Sequence, residues 1–151
     1  MIYVGLVAGI FALDFFIKRY VDKKYVRKEK HPKLGGLLYI EKYYNNGAML
    51  NMLEHSPGVL KILQSILMVL VCIWFYFSLR REGGADAVAG KVGTAFLVGG
   101  GLSNLFDRYT KGHVVDYVKF NFGPKWFRRI VFNVSDFFVF IGGVLAVIGH
   151  R

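Results

Sequence analysis

One cysteine, Cys72, is present in the 151 residues. No internal disulfide can form, so the fold rests on packing and hydrogen bonding. Cys72 lies inside an apolar run without a charged neighbour, which suits plain packing. Acids are scarce as well, ten Asp and Glu against twenty Lys and Arg, for a net charge of +10. The basic residues stand next to apolar segments, as they do when they face anionic lipid headgroups. A membrane surface is therefore the expected partner, and nucleic acid is not. There is no internal repeat or low-complexity tract. Neither a P-loop nor a nucleophile elbow occurs, and no Ser/His/Asp set can be assembled. His31, His55 and His150 lack metal-ligand spacing, so neither a metal nor a cofactor is expected. The N-terminus has no basic n-region, and its apolar run ends in Asp14-Phe15-Phe16-Ile17-Lys18 instead of a small-residue cleavage site. That run reads as a retained membrane helix, not a cleaved signal peptide.

What the chain has in excess is apolar material: 54% hydrophobic, 17% aromatic, with a mean hydropathy of +0.39. This exceeds what an ordinary soluble domain carries. Four segments have roughly membrane-spanning length: residues 2–20, 59–79, 87–106 and 130–148. The third is diluted by Lys91 and by glycines, and a buried interior position accounts for that composition. Its Val98-Gly99-Gly100-Gly101 run lets neighbouring helices approach closely. The expected architecture is an all-α membrane protein: one domain over 1–151, four transmembrane helices, and a small β-rich, amphipathic subdomain over 22–56 between the first two. In that link, residues 37–40 and 43–44 suit one or two short strands. Asn45-Asn46-Gly47 suits a tight turn, and residues 48–55 a short interfacial helix. Trp126 and Phe127 beside Arg128 and Arg129 have the composition of a membrane–water interface.

The polar residues converge. With four helices, Asp14 falls about six residues before the end of the first and Asp136 about six into the fourth. Each is then roughly 9 Å below the same surface, at 1.5 Å per residue. Asn104 and Asp107 end the third helix there, and Asn45 and Asp116 lie in the two links on that side. Carboxylates at such depth are costly and are kept for function. A close pair that shares one proton suits acid–base chemistry. Asp14 and Lys18 are four apart with the acid first, a favourable order for a helical ion pair. Counting Lys and Arg by the positive-inside rule places this polar cluster on the cytoplasmic side.

Asn104-Leu105-Phe106-Asp107-Arg108 followed by Gly112-His113-Val114-Val115-Asp116-Tyr117 resembles the signature of the lipoprotein signal peptidases (signal peptidase II). Phe132-Asn133-Val134-Ser135-Asp136 resembles their second aspartate motif, Asn45-Asn46-Gly47-Ala48 their Asn-x-Gly-Ala segment, and Asp14 with Lys18 their first-helix pair. The matches occur in the family's order across nearly the whole chain. Members usually have Gln-x-Thr where this chain has Phe15-Phe16-Ile17, and Ala-Phe in place of Met49-Leu50. They usually carry Gly at position 103 and Ala at position 135, where this chain has serine. The segment before Phe132 is unusually basic.

The resemblance implies an aspartic endopeptidase of the bacterial cytoplasmic membrane. Its substrates would be prolipoproteins carrying a diacylglyceryl-cysteine, cut just before that cysteine. It implies both termini inside and the site outside, against the charge count, with membrane lipids around a monomer. Asp116 and Asp136 are then the catalytic pair, supported by Asp14, Asn45, Gly47, Asn104, Asp107, Arg108 and Asn133. Asn133 would orient a carboxylate or the substrate carbonyl; Asn45 would bond substrate backbone or serve only as a turn residue. Asp107 and Arg108 read as a structural ion pair or as a cap for the Asp116 link, and His113 as a surface or linker residue. Two other classes stay open: an ion-coupled transporter using the acids as a relay, and a non-catalytic lipopeptide-binding paralogue.

Overall fold

A computed structural model describes residues 1–47 and 55–150 of the chain. Helix α1 runs Ile2–Lys24, α2 Pro57–Arg80, α3 Ala85–Thr110 and α4 Val134–Ile148. Strands β1 (Lys30–Lys33), β2 (Leu38–Asn45), β3 (Val114–Phe120) and β4 (Val131–Phe132) form one antiparallel sheet in the order β1-β2-β3-β4. The short interfacial helix expected over 48–55 falls almost wholly outside the described residues.

The four helices lie where the apolar segments placed them, but the all-α expectation needs correcting. The sheet is not confined to the first link: β3 and β4 come from the link between α3 and α4, and β2 pairs with β3, Tyr43 opposite Asp116 and Asn45 opposite Val114. The alternation Val114-Val115-Asp116-Tyr117-Val118 is strand-like, although it sits between motif residues in the link from α3 to α4. The second correction concerns α4. It begins at Val134 with Asn133 as its N-cap, and residues 131–132 are strand paired with β3. Asp136 is therefore in the first turn of α4, not six residues deep. At the other end of the site, α1 continues one turn past the expected Tyr20, to Lys24.

α3 is the central helix, packed against α1, α2 and α4. Three consecutive glycines explain how. A Cβ on Gly99 would stand 3.0 Å from Ile10 of α1, one on Gly100 would stand 2.6 Å from the Ser135 carbonyl of α4, and one on Gly101 would stand 2.8 Å from Met68 of α2. Successive residues of a helix point about 100° apart, so each glycine admits a different neighbour. Gly93 and Gly142 repeat the close approach between α3 and α4, each Cβ position lying 2.7 Å from the other's carbonyl oxygen. This small-residue packing suits helices in lipid, where close backbone approach replaces hydrophobic burial as the driving force.

Among the described residues, α2 alone meets both the length and the apolarity needed to cross a membrane; α4 is apolar but shorter. α1 is interrupted by Asp14, Lys18 and Arg19, and α3 is diluted by Lys91 and by glycines. α1 carries Asp14 and Lys18 fully buried, and α3 carries Asp107 and Arg108 buried. Their polar content faces the protein interior, while α2 exposes Ile62, Ile66, Val69 and Ile73 outward. At the end of the bundle remote from the sheet, Trp74 Nε1 donates to His150 Nε2 at 3.0 Å and Arg81 bonds the Gly149 carbonyl, pinning the end of α4 to α2.

Candidate active site

The site forms where the sheet meets the helix ends. α3 stops at Lys111, and Gly112, with φ of +80°, turns the chain into β3. That is the left-handed helix end glycine favours. Asp107 Oδ2 accepts the Val115 backbone N–H at 3.3 Å across this turn, which fixes where β3 begins and so where Asp116 stands. β3 pairs with β4, and β4 leads directly into the Asn133 cap. Asp116 and Asp136 thus arrive on adjacent pieces of chain.

One amide joins them. Asn133 Nδ2 donates to Asp116 Oδ1 at 2.7 Å and to Asn104 Oδ1 at 3.0 Å. Its Oδ1 accepts the Asp136 backbone N–H at 3.0 Å, and Asp136 Oδ2 in turn accepts the Asn133 backbone N–H at 2.9 Å. This is a capping box built from Asn and Asp. The remaining carboxylate oxygens are also engaged. Asn104 Nδ2 donates to Asp136 Oδ1 at 2.9 Å, and Asn45 Nδ2 donates to Asp116 Oδ2 at 2.9 Å. Each carboxylate accepts two N–H groups, from three asparagines and one backbone amide. Burial pushes the Asp116 carboxyl above the usual carboxylate range, to about 8. The charge of Asp136 adds to that rise, and the Asn45 and Asn133 bonds oppose it. A group so placed is suited to hold a proton at neutral pH.

Beneath the pair lies a second, ionic layer. Lys18 Nζ pairs with Asp14 at 2.7 Å and Asp107 at 3.2 Å and donates to Asn104 Oδ1 at 2.9 Å. Asp107 also pairs with Lys111 at 3.0 Å. Asp14 accepts from Ser103, Ser135 and Tyr117 besides Lys18. Burial, followed by the charge of Asp14, pushes the Tyr117 hydroxyl above its ordinary range, so it serves as a donor.

A cavity of about 950 Å³ opens over the pair, at the upper end of typical ligand pockets. Asp116, Asp136, Asn45, Asn104 and Arg108 line one part of it; Phe120, Phe127, Phe132, Phe137 and Phe140 form an aromatic wall. The cavity joins an acid pair to a large apolar surface.

The residues singled out from the sequence divide into three groups. Asp116, Asp136, Asn45, Asn104 and Arg108 reach the cavity. Asn133 lies under the two carboxylates, and Gly47 gives its carbonyl to Arg108 Nη2 at 2.6 Å. Asp14 and Asp107 lie deeper, fully buried. Asp107 caps the Asp116 link as expected, but its charge partners are Lys18 and Lys111, not Arg108. Neighbours on a helix point in different directions, and Arg108 turns to Gly47 instead. Asn45 is both turn residue and site residue, since its Oδ1 accepts the Gly47 N–H at 3.0 Å. The His113 ring lies 4.1 Å from that of Tyr44, and burial and then Lys111 lower its pKa, so it is a neutral packing group. In the sequence Lys18 shows only as the ion-pair partner of Asp14, Ser103 and Ser135 only as serines where the resembled pattern has Gly and Ala, and Tyr117 only as the residue after Asp116. The structure gives their side chains a shared partner in Asp14. Among the described residues no group of His, Cys, Asp and Glu could hold a metal ion.

The model of the signal peptidase (SPase) II family matches residues 6–150. A lipoprotein signal peptidase of Chromobacterium violaceum is 31% identical over 145 residues, covering 95% of this chain and 86% of that protein. One from Neisseria meningitidis serogroup C is 32% identical, covering 98% and 88%. One from Mesorhizobium japonicum is 33% identical, covering 96% and 82%. In fold, the chain resembles a bacterial membrane enzyme solved by the in meso method at 2.3 Å, with a TM-score of 0.82 at 21% identity over 98% of this chain and 86% of that one. A second such structure, at 1.9 Å, gives a TM-score of 0.79 at 22% identity over 98% and 91%. With motifs in order, a family model spanning almost every residue and relatives above 30% identity over nearly full length, the chain belongs to the signal peptidase II family.

Proposed function

We propose that this protein is a membrane-embedded aspartic endopeptidase that removes signal peptides from diacylglyceryl-modified prolipoproteins, cutting before the lipidated cysteine. The observation that carries the reading is the pair of carboxylates from β3 and α4, both bound to Asn133 at the wall of an apolar cavity, Asp116 through its side-chain amide and Asp136 through its backbone N–H. Close carboxylates cannot both ionise, so the pair holds one proton and titrates as a unit. The ionised member takes a proton from water, which attacks the scissile carbonyl. The protonated member donates to the carbonyl oxygen and later to the leaving nitrogen. The Asn104, Asn45 and Asn133 amides hold both carboxylates in place through this exchange. The aromatic wall suits the apolar parts of a lipidated peptide. The chain acts without a cofactor or nucleic-acid partner, as one domain and as a monomer among membrane lipids.

A transporter relay would need polar residues spread through the membrane depth. Asp14, Asp107, Asp116 and Asp136 instead form one connected network at one end of the bundle, which favours the peptidase. The direct test is a gel-shift cleavage assay in detergent with a diacylglyceryl-modified prolipoprotein beside an unmodified control. Cleavage of the modified protein alone is expected. No cleavage of either, from protein that melts cooperatively, points to a lipopeptide-binding paralogue.

In the same reading, all four helices cross the bacterial cytoplasmic membrane, with both termini inside and the sheet and cavity outside. The short basic link at Arg80 and Arg81 fits a cytoplasmic loop. The larger basic content of residues 22–56 belongs to a long, partly folded link, with Lys30, Lys33 and Lys42 in strands, and for long links that rule weakens. Cysteines placed at Lys30 and Arg81 decide the matter: an impermeant thiol reagent added from outside should label position 30 and spare 81. The reverse pattern inverts the topology.

A further inference from the structure

Asp14 is wholly buried and does not reach the cavity, so it cannot touch substrate. It nonetheless collects an unusual set of donors. Its Oδ2 accepts from Ser103 Oγ at 2.6 Å, from Ser135 Oγ at 2.6 Å and from Lys18 Nζ at 2.7 Å. Its Oδ1 accepts from Tyr117 OH at 3.1 Å. Each hydroxyl belongs to the chain neighbour of a residue in the amide–carboxylate network: Ser103 precedes Asn104, Tyr117 follows Asp116, and Ser135 precedes Asp136. The three arrive on α3, β3 and α4. Tyr117 OH also accepts the Val134 N–H at 3.1 Å, and Lys18 holds the Ser103 hydroxyl oxygen at 3.2 Å, which leaves the serine proton for Asp14. Bonds of 2.6 Å from hydroxyl to carboxylate are charge-assisted and roughly twice as strong as neutral ones.

We propose that Asp14, Ser103 and Ser135 form a hydroxyl–carboxylate clamp that sets the mutual position of Asp116 and Asp136, a proposal that rests on the dyad reading above. The clamp ties α3 and α4 to α1 one residue away from Asn104 and Asp136. An error of about 1 Å in the placement of reacting groups costs about 10²-fold in rate. Because none of the three residues touches the substrate cavity, the loss should fall on kcat and leave KM alone.

The test uses the full-length protein in detergent and a diacylglyceryl-modified prolipoprotein, assayed well below each variant's melting temperature. Ser103→Ala and Ser135→Ala should each lower kcat about tenfold, and the double variant about 10²-fold, with KM unchanged within about twofold. The single variants decide the question if the double variant does not fold, since each keeps one clamp hydroxyl. Lowered melting temperature with parent kcat would make the serines merely structural and overturn the clamp. A raised KM with parent kcat would place them in substrate binding and overturn it equally. Failure of the dyad reading looks different: a parent protein without cleavage, or Asp116→Asn with parent turnover, removes the pair that the clamp positions.

Discussion

Asp116→Asn and Asp136→Asn are each expected to abolish cleavage of a lipid-modified precursor while leaving the protein folded. Asn keeps the shape of the carboxylate but cannot exchange the proton that either role requires. Losing a general acid or base costs about 10²–10⁴-fold in rate, and loss of the water-activating base belongs at the high end. The fold should tolerate the change at 116, where Asn can still accept from the Asn45 or Asn133 amide through its one oxygen. At 136 the same oxygen can still accept the Asn133 backbone N–H that closes the capping box. The pH dependence carries a sign. Asp116 is raised to about 8, by burial first and by the charge of Asp136 second. The shared proton is therefore present at neutral pH and is lost as pH rises through that value, so parent turnover should fall on the alkaline side near pH 8. Asp107→Asn should act through yield or positioning and retain part of the activity. His113→Gln should be tolerated, since His113 packs against Tyr44 and contributes no charge. The measurement is turnover of a diacylglyceryl-modified precursor by purified variants, with melting in detergent as the folding control. Near-parent turnover by either Asn variant at 116 or 136 would overturn the aspartic mechanism.

Lys18→Met should be the most destabilising single change in the buried network. Lys18 is 1% exposed and sits between Asp14 and Asp107. Burying a charge is costly unless it is paired and hydrogen-bonded. Removing one partner of such a pair costs about 3–5 kcal/mol, because the other is left uncompensated. For a chain of this size that corresponds to a melting shift of roughly 6–20 °C. The two acids should suffer unequally. Asp107 keeps Lys111, whereas Asp14 is left with hydroxyls alone. Adding Asp14→Asn to Lys18→Met should therefore recover part of the lost stability, a coupling that a double-mutant cycle measures. Activity should fall as well, since Lys18 orients the Asn104 amide that donates to Asp136. A Lys18→Met protein that melts with the parent would show that the three charges are not energetically linked.

Much of the architecture was legible in the chain. The apolar segments marked the four helices because lipid and protein interior both demand apolar runs of set length, a local property. Gly99-Gly100-Gly101 marked α3 as the interior helix because only small residues admit several neighbours at once. The motif order marked Asp14, Asn45, Asn104, Asp116, Asn133 and Asp136 as candidates for one site. The strand content of the second link was harder to see, since β3 gains its partner from residues some seventy positions earlier, Tyr43 opposite Asp116. The start of α4 was misplaced for a related reason. Residues 130–133 are apolar enough to continue a helix, yet β4 pairing and the Asn133 cap claim them.

By itself, then, the sequence determined the helix count, the interior position of α3 and the family, because periodicity, apolar length and motif order are written locally along the chain. The tertiary structure alone decided that one Asn133 amide touches both network partners, that Lys18 compensates two acids, and that Asp14 gathers hydroxyls from three elements. Those contacts join residues as far as 121 positions apart. Hydrogen-bond geometry at that range depends on how closely the helices pack and how the strands register, which no single segment of the chain encodes.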